Sequence, residues 1–132
     1  MKIRILNTLA ILFSVSSIFA GAFIQYFSAK SEGNDIRLEW RTGEESNLKM
    51  FVIERKTYNN GFAEIGSVTP KGSNSTYVFI DQNIFKSTGI IITYRLKIVE
   101  NNNQFSYSNE ISVSHNISGV KRTWGSIKAM FR

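Results

Sequence analysis

The run Ile90-Ile91-Ile92-Thr93-Tyr94-Arg95-Leu96-Lys97-Ile98-Val99-Glu100 decides the fold. Ile92, Tyr94, Leu96 and Ile98 alternate with Thr93, Arg95 and Lys97. A period of two marks a strand with one face in a core. The β-branched and aromatic content suits a central position in a sheet. Upstream, Ile36, Leu38 and Trp40 alternate with Arg37, Glu39 and Arg41 in the same way. Met50 to Lys56 forms another such run, with Phe51 and Ile53 on one face and Val52 on the other.

The remaining strands follow from the turns. Thr42 to Asn47 is polar and holds Gly43, which predicts a turn. Asn59-Asn60-Gly61 predicts a hairpin, because asparagine and glycine tolerate positive φ, and Phe62 to Val68 returns antiparallel. Pro70, Gly72, Ser73 and Asn74 predict a longer turn before Thr76 to Asp81, where Tyr77 and Phe79 share a face and Asp81 opens the next loop. Asn101-Asn102-Asn103 turns the central strand into Phe105 to Val113, whose apolar members are Phe105, Tyr107, Ile111 and Val113. Phe23 to Ala29 adds an edge strand. Seven runs at a spacing of roughly 8 to 12 residues, with almost no helix signal between them, predict an all-β, seven-stranded antiparallel immunoglobulin-like sandwich.

In order, Ile36-Arg37-Leu38-Glu39-Trp40, Phe51-Val52-Ile53-Glu54-Arg55, Phe62-Ala63-Glu64-Ile65-Gly66, Tyr77-Val78-Phe79-Ile80-Asp81, Tyr94-Arg95-Leu96-Lys97 and Tyr107-Ser108 resemble the fibronectin type III-like modules of secreted and surface proteins in Bacteroidetes-type bacteria. The resemblance covers about residues 23 to 114. It implies that Trp40 anchors the core and that Tyr94 is the tyrosine corner, both scaffold residues. It also implies export. It leaves the ligand open, since such modules serve as spacers, adhesins and partner-binding domains alike. They often precede a larger sorting domain, for which the sixteen residues after this domain are too few.

The chain begins with a predicted signal peptide over residues 1–22. Lys2 and Arg4 supply the positive segment, Ile5 to Phe19 the apolar run, and Ala20-Gly21-Ala22 the small residues of a cleavage site after Ala22. The apolar run is short of the ~20 residues that cross a bilayer. There is no cysteine, so neither a disulfide nor a lipid thioether is available, and an exported fold must rest on burial alone. These features predict an exported protein of a bacterial envelope, periplasmic, at the outer-membrane surface or extracellular. Seventeen aromatics, one proline and nine glycines are compatible with a packed core.

The formal charge of +6 is unevenly placed. Losing Lys2 and Arg4 leaves fourteen basic against ten acidic residues, and residues 23–116 balance at ten of each. The excess lies in the predicted tail, residues 117–132, as Lys121, Arg122, Lys128 and Arg132. The domain itself is not basic, which argues against a nucleic-acid partner. In the tail, Val120, Trp124, Ile127 and Phe131 fall at helical spacing, with Lys121, Lys128 and Arg132 on the flank of the stripe. These seven residues are the candidate partner-binding site. Such a segment could dock on its own domain, fill a groove on another envelope or surface protein, lie on an anionic membrane surface, or stay frayed.

Catalytic constellations are missing. His115 is the only histidine and reads as a loop-edge residue at the end of the domain. Glu44-Glu45 lies on a predicted turn, where adjacent side chains diverge, and Asp35 with Asp81 lacks the spacing of a calcium loop. No glycine-rich phosphate loop is present. The sequence therefore predicts no enzyme, no cofactor and no metal. It predicts a protein-interaction or structural module. The alternative is a carbohydrate-binding module using a stacking platform drawn from Tyr26, Tyr58, Tyr77, Tyr94 and Tyr107.

Overall fold

The computed structural model describes residues 21–82 and 90–115. Among them are eight strands and no helix: β1 (Gly21–Glu32), β2 (Asp35–Ser46), β3 (Leu48–Lys56), β4 (Ala63–Val68), β5 (Thr76–Asp81), β6 (Ile90–Glu100), β7 (Phe105–Tyr107) and β8 (Ile111–His115). Of the predicted signal peptide, 1–22, the first twenty residues lie outside the described residues and Gly21 and Ala22 open β1, while the predicted tail, with Val120, Lys121, Trp124, Ile127, Lys128, Phe131 and Arg132, also lies outside them.

All pairings are antiparallel. One sheet runs β1-β2-β5. The other runs β4-β3-β6, with β7 and β8 both paired to β6 along its far side. Inward residues of the two sheets meet in one core of Ile36, Leu38, Trp40, Phe51, Ile53, Tyr77, Ile92, Tyr94, Leu96 and Ile98. Trp40 stacks on Tyr77 at 5.2 Å and 8°, and meets Phe51 edge-on at 5.6 Å and 68°. Without a disulfide, this aromatic cluster carries much of the burial that holds the sheets together.

The eighth strand has a simple origin. Phe105 to Val113, read from sequence as one strand, is two. β7 pairs through Lys97↔Tyr107 and Val99↔Phe105, whereas β8 pairs through Tyr94↔Ile111 and Ile92↔Val113. The register moves by one residue between them, so the segment around Ser108 to Glu110 carries one residue more than β6 opposite, a β-bulge. Ser108 fills the gap. Its N–H donates to Leu96 O at 2.9 Å, and its hydroxyl accepts from Leu96 N at 2.8 Å. A regular strand would put all four apolar residues on one face. The bulge sends Phe105 and Tyr107 outward and turns Ile111 and Val113 against the core.

Two other expectations are corrected. Thr42 to Asn47 is not a polar turn, because β2 continues to Ser46 and only Asn47, at φ 50°, separates it from β3. The continuation is held by loop partners distant in sequence: Thr42 N donates to Ser75 O at 2.9 Å and Asn74 N donates to Gly43 O at 2.7 Å. The β3–β4 connection forms where expected but without positive φ at Asn59, Asn60 or Gly61. It closes instead through Asn60 N to Thr57 O at 3.1 Å.

Candidate binding face

The outer face of the five-stranded sheet carries a built array of rings and cations. Side chains at alternate positions of β6 point away from the core, which places Arg95 and Lys97 on this face, and the bulge adds Phe105 and Tyr107 beside them. Phe62, just before β4, reaches over from the opposite side. The Arg95 guanidinium carbon lies 3.9 Å from the Phe62 ring centroid and 3.8 Å from that of Tyr107. The cation is thus clamped between two rings, and Glu54 Oε1 accepts from Arg95 Nε at 2.7 Å. Lys97 Nζ sits 4.2 Å over Phe105, and Lys56 Nζ sits 4.8 Å over Phe62.

Despite these contacts the rings stay accessible. Phe105 is 52% exposed and Tyr107 44% exposed. At the β6 start of the same face, Lys56, Thr57, Tyr58, Asn59, Ile91 and Thr93 line an open groove of about 620 Å³, with Tyr58 almost wholly exposed on its rim.

Other polar clusters are structural. Asp81, expected to open a loop, is the buried last residue of β5 and accepts from Arg55 Nη1 at 2.9 and 2.8 Å and from the Tyr94 hydroxyl at 2.7 Å. Burial, and next the hydrogen bond to Asp81, raise the Tyr94 phenol well above its ordinary range. Glu45 accepts from Tyr77, Thr42 and the Gly72 N–H, tying β2 to the loop before β5. The Tyr77 phenol is pushed up to about 12, first by burial and then by Glu45. Glu44 is exposed, whereas Glu45 is half-buried. His115 is not at a loop edge: it is fully buried at the end of β8, with Nδ1 2.9 Å from Ser31 Oγ of β1. Among the described residues no group of three or more His, Asp or Glu is placed to hold a metal ion.

The five tyrosines do not form one platform. Tyr77 and Tyr94 are core residues, Tyr26 lies on the three-stranded sheet and donates to Glu39 at 2.7 Å, and only Tyr58 and Tyr107 belong to the outer face of the larger sheet. Phe62, Arg95, Lys97 and Phe105 were not singled out as a site by the sequence. The available signal was the polar break Ser108-Asn109-Glu110, which marks where the phase of the outer strand changes.

No family model matches the chain, and no curated protein matches it. Two solved structures share its fold. One is a pectate lyase, Pel3, from Pectobacterium carotovorum, 20% identical over 71% of this chain and 27% of that chain, with a TM-score of 0.51. The other is a β-1,2-glucanase from Parabacteroides distasonis, 13% identical over 79% of this chain and 15% of that chain, also with a TM-score of 0.51. The chain therefore spans a minor part of each, and at these identities the likeness is one of fold.

Proposed function

We propose that the chain is an exported, non-catalytic interaction module of a bacterial envelope, of fibronectin type III-like build, whose working surface is the outer face of the five-stranded sheet. Support for the build comes from the strand order β1-β2-β5 against β4-β3-β6 with β7 and β8, and from the buried positions of Trp40 and Tyr94. Support for export comes from the leader-like residues 1–22. Among the described residues, no helix is long and apolar enough to cross a membrane. The working surface rests on one observation: Arg95 is clamped between Phe62 and Tyr107 and fixed by Glu54, so an exposed aromatic face is held in place before any partner arrives. Side chains fixed in advance lose less entropy on binding.

A glycan fits this face better than a protein does. A protein interface has a contiguous apolar core. Here single rings alternate with ammonium and guanidinium groups, and the adjoining groove sets Thr57, Asn59 and Thr93 among the apolar surfaces of Ile90, Ile91 and Tyr58, an arrangement that suits stacking on sugar rings with polar groups to either side. The pectate lyase and the glucanase are both named as enzymes of polysaccharides, and their matched parts are small fractions of those chains. The test is affinity electrophoresis of the chain through gels of soluble polysaccharides, beside a Phe105→Ser/Tyr107→Ser variant of unchanged thermal midpoint. Retardation that the variant loses is expected. Retardation that the variant keeps would show that this face is not the working surface.

A further inference from the structure

The charges on the outer face are not all spent within the fold. Arg95 is neutralised by Glu54 at 2.7 Å, but neither Lys56 nor Lys97 has a carboxylate within salt-bridge distance among the described residues. Each instead holds its ammonium over a ring, Lys56 over Phe62 and Lys97 over Phe105. Lys56 is paired across the sheet with Thr93, four residues before Lys97 on β6. The backbone positions of the two lysines thus stand about 13 Å apart along the strand direction, at ~3.3 Å per residue. Between them lies the Arg95 clamp, and the Tyr107 ring stands beside Lys97 in the same row.

We infer that this face is a track for an anionic polysaccharide of the uronic-acid type. Lys56 and Lys97 would meet carboxylates of sugar units set well apart, and the exposed rings of Tyr107 and Phe105 would stack on the units beside Lys97. The spacing calls for a chain, since a single sugar ring does not reach both cations. The groove beside Lys56, with Thr57, Asn59 and Thr93 on its walls and Tyr58 on its rim, takes the continuing end of that chain. Glu64, registered opposite Glu54 on β4, places an exposed carboxylate at the side of the track and repels the same ligand. The inference rests on the outer face being the working surface and adds the charge of what it binds.

The test uses the chain with two probes of one backbone: polygalacturonate, and the same polymer fully methyl-esterified, which keeps the rings and loses the charge. Binding is expected to the acid form and to fall steeply with added salt, since exposed charges are screened within ~10 Å at 0.1 M. Lys56→Gln/Lys97→Gln is expected to weaken it about five- to tenfold, two exposed ion pairs being worth up to about 1 kcal/mol each. Glu64→Gln is expected to strengthen it. Equal binding of acid and ester, lost on Tyr107→Ser, would overturn the charge inference and leave the face standing. Binding to neither polymer, with Tyr107→Ser also without effect on any neutral glucan that binds, would remove both. Thermal midpoints of all variants within about 2 °C of the parent exclude misfolding as the cause, because about 1 kcal/mol shifts a domain of this size by several degrees.

Discussion

The Tyr94 hydroxyl on β6 donates to Asp81 Oδ2 on β5 at 2.7 Å, and the same carboxylate accepts from Arg55 on β3 at 2.9 and 2.8 Å. One buried acid thereby joins both sheets at the margin of the core. Neither side chain on Asp81 can be lost without leaving part of its charge unpaired.

Tyr94→Phe removes one donor and leaves Arg55 in place, so it is expected to cost about 1–3 kcal/mol, the range for a buried hydrogen bond to a charged group. Asp81→Ala leaves the guanidinium without its anion and the phenol without its acceptor, and is expected to cost more, about 3–5 kcal/mol. Urea unfolding of the two single variants and the double measures the coupling. Additive losses would mean that the phenol and the carboxylate do not act as a pair.

Stability is expected to fall as pH rises between 10 and 12. Tyr77 titrates at about 12 in the fold, against ~10 for an unperturbed tyrosine, and Tyr94 is raised as well. In that window the unfolded chain has released phenolic protons that the folded chain still holds. The slope of unfolding free energy against pH is therefore negative, and the stabilisation is complete below pH 10. Tyr77→Phe is expected to be less stable at pH 8 but to show a shallower decline from pH 10 to 12. An unchanged slope would mean that Tyr77 contributes nothing to the alkaline transition.

The alternating runs were legible because period two is a local property. Ile36, Leu38 and Trp40, and likewise Ile92, Tyr94 and Leu96, are all fully buried. What escaped the sequence depends on partners far along the chain. Thr42 and Gly43 look like turn residues until Ser75 and Asn74 supply their hydrogen bonds, and Asp81 looks like a loop residue until Arg55 reaches it. The candidate face was illegible for a different reason. A one-residue bulge reverses the orientation of Phe105 and Tyr107 relative to Ile111 and Val113, and no residue preference marks its position sharply. The clamp itself draws Phe62, Arg95 and Tyr107 from three separate segments.

Gly66 on β4 lies against the Phe79 ring of β5. A methyl group at Gly66 would stand 2.6 Å from Phe79 Cε2 and 2.8 Å from Cζ, inside contact distance. Gly66→Ala is expected to destabilise by about 1–3 kcal/mol through overpacking. Phe79→Leu, costly alone, is expected to recover part of that loss when combined with it, since the flat ring is what the methyl strikes. Thermal unfolding of the four-member cycle checks this, and a Gly66→Ala variant as stable as the parent would mean that the two sheets do not approach so closely here.

Deletions around Asn109 are the sharpest test of the bulge. With Asn109 gone, a single register can run from Phe105 through Val113, and period two keeps Phe105 and Tyr107 on the face opposite Ile111 and Val113. That variant is expected to stay monomeric. With Asn109 and Glu110 both gone, a single register puts all four residues on one face. Either the core then loses Ile111 and Val113, or Phe105 and Tyr107 must enter a space already filled by Leu96 and Ile98. The double deletion is therefore expected to be several times more costly than the single one and to promote self-association, read by size-exclusion chromatography beside thermal unfolding. A double-deletion variant that stays monomeric and keeps the parent's midpoint would show that the facing of residues 105–115 is not set by strand register.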